Sequence, residues 1–521
     1  MSAPDGIARS TTVVSSATLA SRVFGLVREQ TFAFIFGAGF ATDAFVAAFR
    51  IPNLLRDLFA EGALSAAFVP VFTETLTHKG KPEAFRLANR LSSVLLVVLA
   101  AVVILGILVT PGLVHLIAPG FTAIPGKSEV TAVMARIMFP FLLLVSMAAV
   151  SMSMLNSLRR FAVQALAPVF FNLALIATGY LVCPFFNPPI VGMALGVLLG
   201  GLGQWGVQAL ALRREGFALR FEPAFADPGV RRILWLMTPA VVGLASTQIA
   251  IFVNTQIASV LPQGSVSYLN FSFRLMSFPL GIFGVAVATV TLPVVSSYAA
   301  KKDIAGILST ATSSLKLIFF LTIPSTFFLC LASKPMISVL YQHGRFTSAD
   351  TDHTARALIF YALGLLAYSS VRVIAPIFYA LGNTKTPAVI SVLAVAVNVA
   401  LCLTLKNPLG YRGLALATSI SATTNLAFLI ILLTRRVGPL HFPDLAQAFA
   451  KVLACSLVLA GALLGAQALW PWTQPASLVA KIANLCFLLA AAAGSYLLAA
   501  SLLKIKELSL LLGLVKKRSR S

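Results

Sequence analysis

Apolar residues run through this chain in blocks of about twenty, divided by short polar stretches and without strict alternation. A hydrocarbon core about 30 Å thick takes roughly 20 residues of helix to cross. Blocks of that length fall at 91–110, 137–155, 166–184, 190–212, 233–261, 278–295, 315–332, 357–380, 388–405, 413–433, 449–469 and 478–503. Two more, 9–36 and 41–75, are long enough but carry charges. Backbone in lipid must satisfy its own hydrogen bonds, and a barrel would alternate polar and apolar positions. The pattern therefore predicts an all-α polytopic membrane protein of about fourteen transmembrane helices.

Composition agrees. Only 11% of the 521 residues are charged and 59% are hydrophobic, against about 25% charged in soluble proteins. That excludes an ordinary soluble enzyme. The formal net charge of +23 punctuates apolar runs instead of forming a patch, so nucleic acid is not an expected partner. With the N-terminus in the cytoplasm, the inside loops would hold Lys79, Lys81, Arg86 and Arg90, then Arg159 and Arg160, then Arg213, Arg214, Arg220, Arg231 and Arg232. Lys301, Lys302, Lys385, Arg435, Arg436 and the basic tail from Lys504 follow on the same side. The opposite loops hold Lys127, Lys334, Arg345, Lys406 and Arg412. This asymmetry predicts both termini inside. The first twenty residues lack a basic stretch followed by an apolar one, so no cleavable secretory signal is expected. Five scattered cysteines and five dispersed histidines suggest neither a disulfide framework nor a metal centre.

Two stretches read as weak copies of each other, DAFVAAFRIPNLLRDLFAEGALSAAFVPVF and YLNFSFRLMSFPLGIFGVAVATVTLPVV. Each places an arginine (Arg50, Arg274) after an aromatic residue, a proline soon after (Pro52, Pro279) and a second proline further on (Pro70, Pro293). Repeated halves mark transporters. The expected division is an N-terminal lobe over 1–220, a C-terminal lobe over 227–436, and two extra helices with a tail over 441–521.

Ionisable residues inside spans cost about 2.5–3.5 kcal/mol each on insertion scales and usually face a cavity. The first helix carries Arg22, Arg28 and Glu29; the second carries Asp43, Arg50, Arg56, Asp57 and Glu61 across Pro52; the eighth carries Arg274 with no acid. Arg22, Arg28, Arg56 and Arg274 outnumber the acids within reach, and surplus guanidinium suits a polyanion, above all phosphate. The alternative is that they pair with Asp43, Asp57 and Glu61 or snorkel to the interface. Arg372 is a further cavity candidate, whereas Arg136, Lys316, Lys451 and Lys481 sit near span ends and are expected to snorkel. No GxxxxGK[ST] motif occurs; GFTAIPGKS from Gly120 has one residue too many between its glycines. No catalytic cluster is legible, so the chain is expected to be no enzyme and to need no cofactor, drawing energy from the membrane potential or an ion gradient.

SRVFGLVREQ, FGAGFATDAFVAAFRIPNLLRDLFAEGALSAAFVPVF, FRLMSFPLGIFGVA and APIFYALGNTKTP resemble the signatures of the MurJ (MviN) family of lipid II flippases, within the multidrug/oligosaccharidyl-lipid/polysaccharide exporter superfamily. The resemblance implies two six-helix lobes around a cationic cavity, two extra helices forming a hydrophobic groove, and alternating access. The implied cargo is undecaprenyl-pyrophosphate-linked peptidoglycan precursor (lipid II), moved from the inner to the outer leaflet of the cytoplasmic membrane, with the cell-wall synthesis machinery as partner. It also implies substrate-binding roles for Arg22, Arg28, Arg56 and Arg274, with Asp43 and Glu29 as matching acids; Arg50 and Arg372 join them as substrate-binding candidates from the charge pattern alone. Ser277 stands where many relatives carry Glu or Gln, which leaves Arg274 with less local neutralisation. Positions matching a sodium site in some members are Asn254, Asn398, Cys402 and Thr418; neutral groups hold a hard cation weakly, so no tight site is expected. Pro52, Gly62, Pro279 and Gly284 are expected bending points. A flippase for another polyprenyl-pyrophosphate-linked oligosaccharide, of O-antigen type, shares this chemistry, and a multidrug or cation antiporter would instead want acidic walls.

Overall fold

A computed structural model describes residues 3–59, 63–472 and 477–509. Glu61, Gly62 and the KKRSRS tail lie outside them. Every regular element among the described residues is helical. The chain divides into two compact units, Met1–Ser267 and Tyr268–Ser521.

The first unit contains α1 (Ala3–Phe36), α2 (Phe40–Phe59), α3 (Ala63–Leu108), α4 (Thr110–Ile117), α5 (Lys127–Met138), α6 (Phe141–Ser157), α7 (Phe161–Leu181), α8 (Ile190–Arg214) and α9 (Pro228–Ser259). The second holds most of α10 (Ser265–Pro279), then α11 (Val285–Ala300), α12 (Ile304–Leu331), α13 (Ser333–Tyr341), α14 (Ser348–Ala362), α15 (Leu365–Ala380), α16 (Lys385–Leu409), α17 (Tyr411–Val437), α18 (Phe442–Leu469) and α19 (Leu478–Leu502). Among the described residues ten helical segments are long and apolar enough to cross a membrane, or eleven if α14 and α15, bent by 41°, count as one span. α1, α2 and α9 are the helices at the remaining predicted blocks, so the arrangement is consistent with about fourteen spans.

Several boundaries move, each for a physical reason. The block at 41–75 is two helices, α2 and the start of α3. Within α3 the backbone breaks at Gly80, with φ 80° and ψ 174°, a conformation open to glycine and costly for any residue with a Cβ. The block at 278–295 belongs to a 36-residue rod, Ser265–Ala300, whose first half is too polar to register as apolar. Pro279, which lacks a backbone donor, immediately precedes a π-helical turn at Leu280–Gly284 inside this rod.

The 220–227 division falls in the loop between α8 and α9, and packing keeps α9 with the first unit. Asp227 caps α9 by accepting from Gly229 N (2.8 Å) and Val230 N (3.0 Å), and it binds Arg90 of α3 at 2.5 Å. Arg232 of α9 reaches Glu74 of α3 at 2.9 Å. Ahead of α9 the chain is strapped along α3. Asn89 donates to Ala218 O and accepts from Arg220 N, and Ser93 accepts from Glu222 N. In the second unit α18 and α19 bury Val452, Cys455, Leu459, Leu488 and Ala492 against Phe320 and Ile323 of α12. Tyr496 OH donates to Phe320 O at 2.7 Å.

Two predictions arise here. A Cβ on Gly120 would sit 2.2 Å from Ser259 O and 2.6 Å from Val260 Cα. Backbone cannot yield as a side chain can, so Gly120→Ala is expected to destabilise the first unit by about 1–3 kcal/mol, read as a lower melting temperature and faster proteolysis. Glu215 accepts from Lys81 Nζ (3.2 Å) and Arg160 Nε (2.7 Å), and these hydrogen bonds hold its carboxyl below the ordinary glutamate range. A carboxyl depressed on folding contributes stability above its unfolded pKa of about 4.3 and loses it as pH falls through the lower folded value. The melting temperature of Glu215→Gln is therefore expected to lie slightly below wild type at pH 7, with the gap closing in acid.

Candidate functional site

The first helix is fixed before its charges matter. Asn172 of α7 donates to Ser21 O at 3.3 Å, and the Phe32 ring lies 4.8 Å from Phe45 of α2. On this support Arg28, its side chain 14% exposed, pairs with Glu29 at 2.6 Å. Neighbours in a helix point about 100° apart, yet both side chains are long enough to curl together. Arg22 stands exposed about two turns earlier.

On α2, Arg50 is half-buried and Pro52 is buried inside the helix. Arg56 grips Asp57 through Nη2 (2.9 Å) and Nε (3.2 Å). Asp57 Oδ2 is further occupied by Asn53 Nδ2 at 3.3 Å and by Gln248 Nε2 of α9 at 3.0 Å. Arg28 and Arg56 are thus each paired with the acid next in sequence; Asp57 is a partner that the pairing alternative names, and Glu29 is one that it does not.

Asp43 does something else. It is 1% exposed, and both its oxygens are taken. Oδ2 accepts from Lys127 Nζ (2.9 Å) and Gly264 N (2.8 Å); Oδ1 accepts from Ser267 N (2.8 Å) and Ser267 Oγ (2.5 Å). Lys127 is itself 1% exposed, opens α5, and lies 4.2 Å from the Phe121 ring centroid. The lysine that reads as a loop cation in the sequence is therefore the buried counter-ion of Asp43. This closes Asp43 off as a group that could neutralise an arginine or meet a substrate in this conformation; it ties α2, α5 and the start of α10 together. Over residues 19–59 there are four arginines and three acids, so removing Asp43 from the balance leaves Glu29 and Asp57 against Arg22, Arg28, Arg50 and Arg56.

In the second unit Arg274 is exposed on α10, the one charged residue in the span Ser265–Ala300. Ser277, one turn on, donates back to Phe273 O at 2.7 Å. Arg372 is exposed on α15 and likewise the one charged residue of its helix.

The neutral positions matched to a sodium site come together in part. Asn398 Nδ2 donates to Thr418 Oγ1 at 3.4 Å, and Cys402 Sγ lies 3.9 Å from Asn398 Oδ1. Asn254 belongs to α9 in the first unit. No group of three or more His, Cys, Asp or Glu among the described residues could hold a metal ion. Among the span-end cations, Arg136 is exposed and Lys451 half-buried; Lys316 pairs with Asp444 at 3.2 Å. Lys481 is buried over most of its surface.

Sequence reasoning missed Lys127 and Gln248. For Lys127 the one usable signal is its place in GFTAIPGKS, where an aromatic and a glycine flank a cation. Gln248, an amide inside an apolar run, gives none.

The family model described as lipid II flippase MurJ matches residues 32–483. A probable lipid II flippase MurJ of Vibrio cholerae is 37% identical over 467 residues, covering 88% of each chain. A lipid II flippase MurJ of Burkholderia cenocepacia is 35% identical over 496 residues, covering 93% of this chain and 95% of its own. A solved lipid II flippase MurJ in an inward closed conformation superposes with TM-score 0.77 at 27% identity, covering 94% of this chain and 98% of that one. An inward-facing multidrug-resistance transporter of the MOP superfamily shares the fold alone, with TM-score 0.68 at 15% identity over 82% of this chain and 98% of that one. Matches of this identity along nearly the whole length leave one conclusion: the chain belongs to the MurJ family of lipid II flippases.

Proposed function

We propose that this chain is a flippase that carries lipid II, the undecaprenyl-pyrophosphate-linked peptidoglycan precursor, from the inner to the outer leaflet of the bacterial cytoplasmic membrane. It is a multi-pass protein with both termini in the cytoplasm, and it performs no covalent chemistry. The observation that carries the reading beyond family membership is Arg274, a lone charge in a 36-residue span. Charge inside a span is rare and marks a functional position, and a guanidinium there presents a fork that fits phosphate oxygens.

Arg22, Arg28, Arg56 and Arg274 recognise the pyrophosphate, whose oxygens match the guanidinium fork. Glu29 and Asp57 hold Arg28 and Arg56 in place, and Arg50 and Arg372 add positive potential. The polyprenyl tail stays in lipid beside α18 and α19. Neutralisation of the arginines by the phosphates favours closure on the inner side, and the chain then opens outward. The break at Gly80, Pro52 in α2 and the π-turn after Pro279 are places where helices can bend. The membrane potential or an ion gradient supplies the drive, and the cell-wall synthesis machinery consumes the product outside.

Depletion of the protein tests this reading. The expected result is lipid II accumulating in the inner leaflet while the outer-leaflet pool falls. Unchanged lipid II with altered surface polysaccharide would assign the chain to another polyprenyl-linked glycan.

A further inference from the structure

A cavity of about 300 Å³ within the first unit is lined by none of the arginines assigned to lipid II. It lies between α3, α6, α8 and the strap ahead of α9. Helix periodicity makes its walls. Met147, Val150, Ser151 and Met154 share one face of α6, and Trp205, Ala209 and Arg213 share one face of α8. Ser92 of α3 and Phe217 of the strap complete the lining on the other sides. The short side chains of Ser92, Ser151 and Ala209 leave space that larger ones would fill.

Ser92 and Ser151 are 3% and 6% exposed, yet neither hydroxyl bonds to another described residue. Their neighbours behave ordinarily, since Ser93 Oγ donates to Asn89 O and Ser153 Oγ to Ala149 O, both at 2.8 Å. Buried polar groups are as a rule hydrogen-bonded, so two free donors lining one open space point to a guest that accepts. Arg213 lies in the last turn of α8, is exposed, and pairs with no acid among the described residues. Glu215, two residues on, is taken by Lys81 and Arg160. The remaining lining is apolar: Met147, Val150 and Met154 are buried, and Trp205 and Phe217 add rings. Eight residues of helix, about 12 Å, separate Trp205 from Arg213, so the α8 wall passes from aromatic to cationic. Leu202 and Leu210, exposed on the adjoining face of α8, put acyl chains beside it.

We propose that this cavity binds a short- to medium-chain carboxylate, a single-tailed amphiphile taken up from the surrounding membrane. The Arg213 guanidinium and the two serine hydroxyls are donors for the carboxylate oxygens, and the chain lies among Met147, Val150, Met154, Trp205 and Phe217. A volume of about 300 Å³ is at the low end for ligand pockets, which suits a short chain. The bound anion ties the strap to α3, α6 and α8. The test uses the full chain in detergent with Trp235, Trp470 and Trp472 changed to Phe, so that Trp205 alone reports. Titration with octanoate is expected to give a saturable change in emission. Arg213→Gln is expected to raise the Kd at least tenfold and Arg213→Lys, which keeps the charge without the fork, to raise it less. Ala209→Leu fills the cavity and is expected to abolish the response. Octanamide, with the chain but no charge, and inorganic phosphate, with charge but no chain, are expected to bind at least tenfold more weakly. A response unchanged by Arg213→Gln or by Ala209→Leu, or none at all, overturns the site; octanamide or phosphate acting as well as octanoate overturns the ligand class assigned to it.

Discussion

Replacing Arg274 by alanine is expected to slow lipid II translocation severely while leaving protein level and melting temperature near wild type. The residue is exposed on α10 and is the one charge of its span, so its removal takes no buried side chain from the core. A hydrogen bond to a charged group contributes about 1.5–3 kcal/mol, and each 1.4 kcal/mol is about tenfold in rate. Loss of one phosphate contact therefore predicts transport ten- to a hundred-fold slower. Arg274→Lys keeps the charge but not the fork, so an intermediate rate is expected. Arg28→Ala is a less direct test, because Glu29, buried and paired at 2.6 Å, would lose that partner. Arg28→Ala combined with Glu29→Gln removes the complication and is expected to fail in transport to a similar degree. Outer-leaflet lipid II measured in cells reads both variants, and normal levels in both would reject the arginine site.

The second large effect is on stability. Asp43→Asn leaves the Lys127 ammonium, 1% exposed, among Phe40 and Phe121 without its counter-ion. Breaking a buried pair from one side costs about 3–5 kcal/mol. Lys127→Met should cost less, because Asp43 keeps Gly264 N, Ser267 N and Ser267 Oγ as donors. The double variant Asp43→Asn/Lys127→Met strands no charge and is expected to recover much of the loss. Melting temperatures of the four proteins, compared as a double-mutant cycle, give the coupling. A substrate-binding Asp43 would behave otherwise, with Asp43→Asn impairing transport at unchanged stability.

These two predictions mark what the linear sequence could and could not reveal. Span number and helical class follow from block length, since the bilayer sets that length for every span alike. Arg22, Arg28, Arg56 and Arg274 stand out because a charge in an apolar run is visible locally. The partners are not local. Lys127 is 84 positions from Asp43 and Gln248 is 191 from Asp57, and only packing brings them together. Element starts blur for a related reason: the first half of α10 is polar because Ser267, Tyr268 and Ser272 bond to neighbours. Tyr268 OH donates to Asp350 and Ser272 Oγ to Thr354 O, so no hydropathy window finds it. Lys481 resembles any span-end lysine until its burial is known.

The most direct measurement compares two cargoes in vesicles containing the purified protein. One is lipid II; the other carries the same glycan-peptide head on the same polyprenyl tail through an uncharged linker. Recognition of the pyrophosphate by membrane-embedded arginines predicts rapid translocation of the first and none of the second, with Arg274→Ala moving the first ten- to a hundred-fold more slowly. Equal transport of both cargoes by the wild-type chain would contradict it.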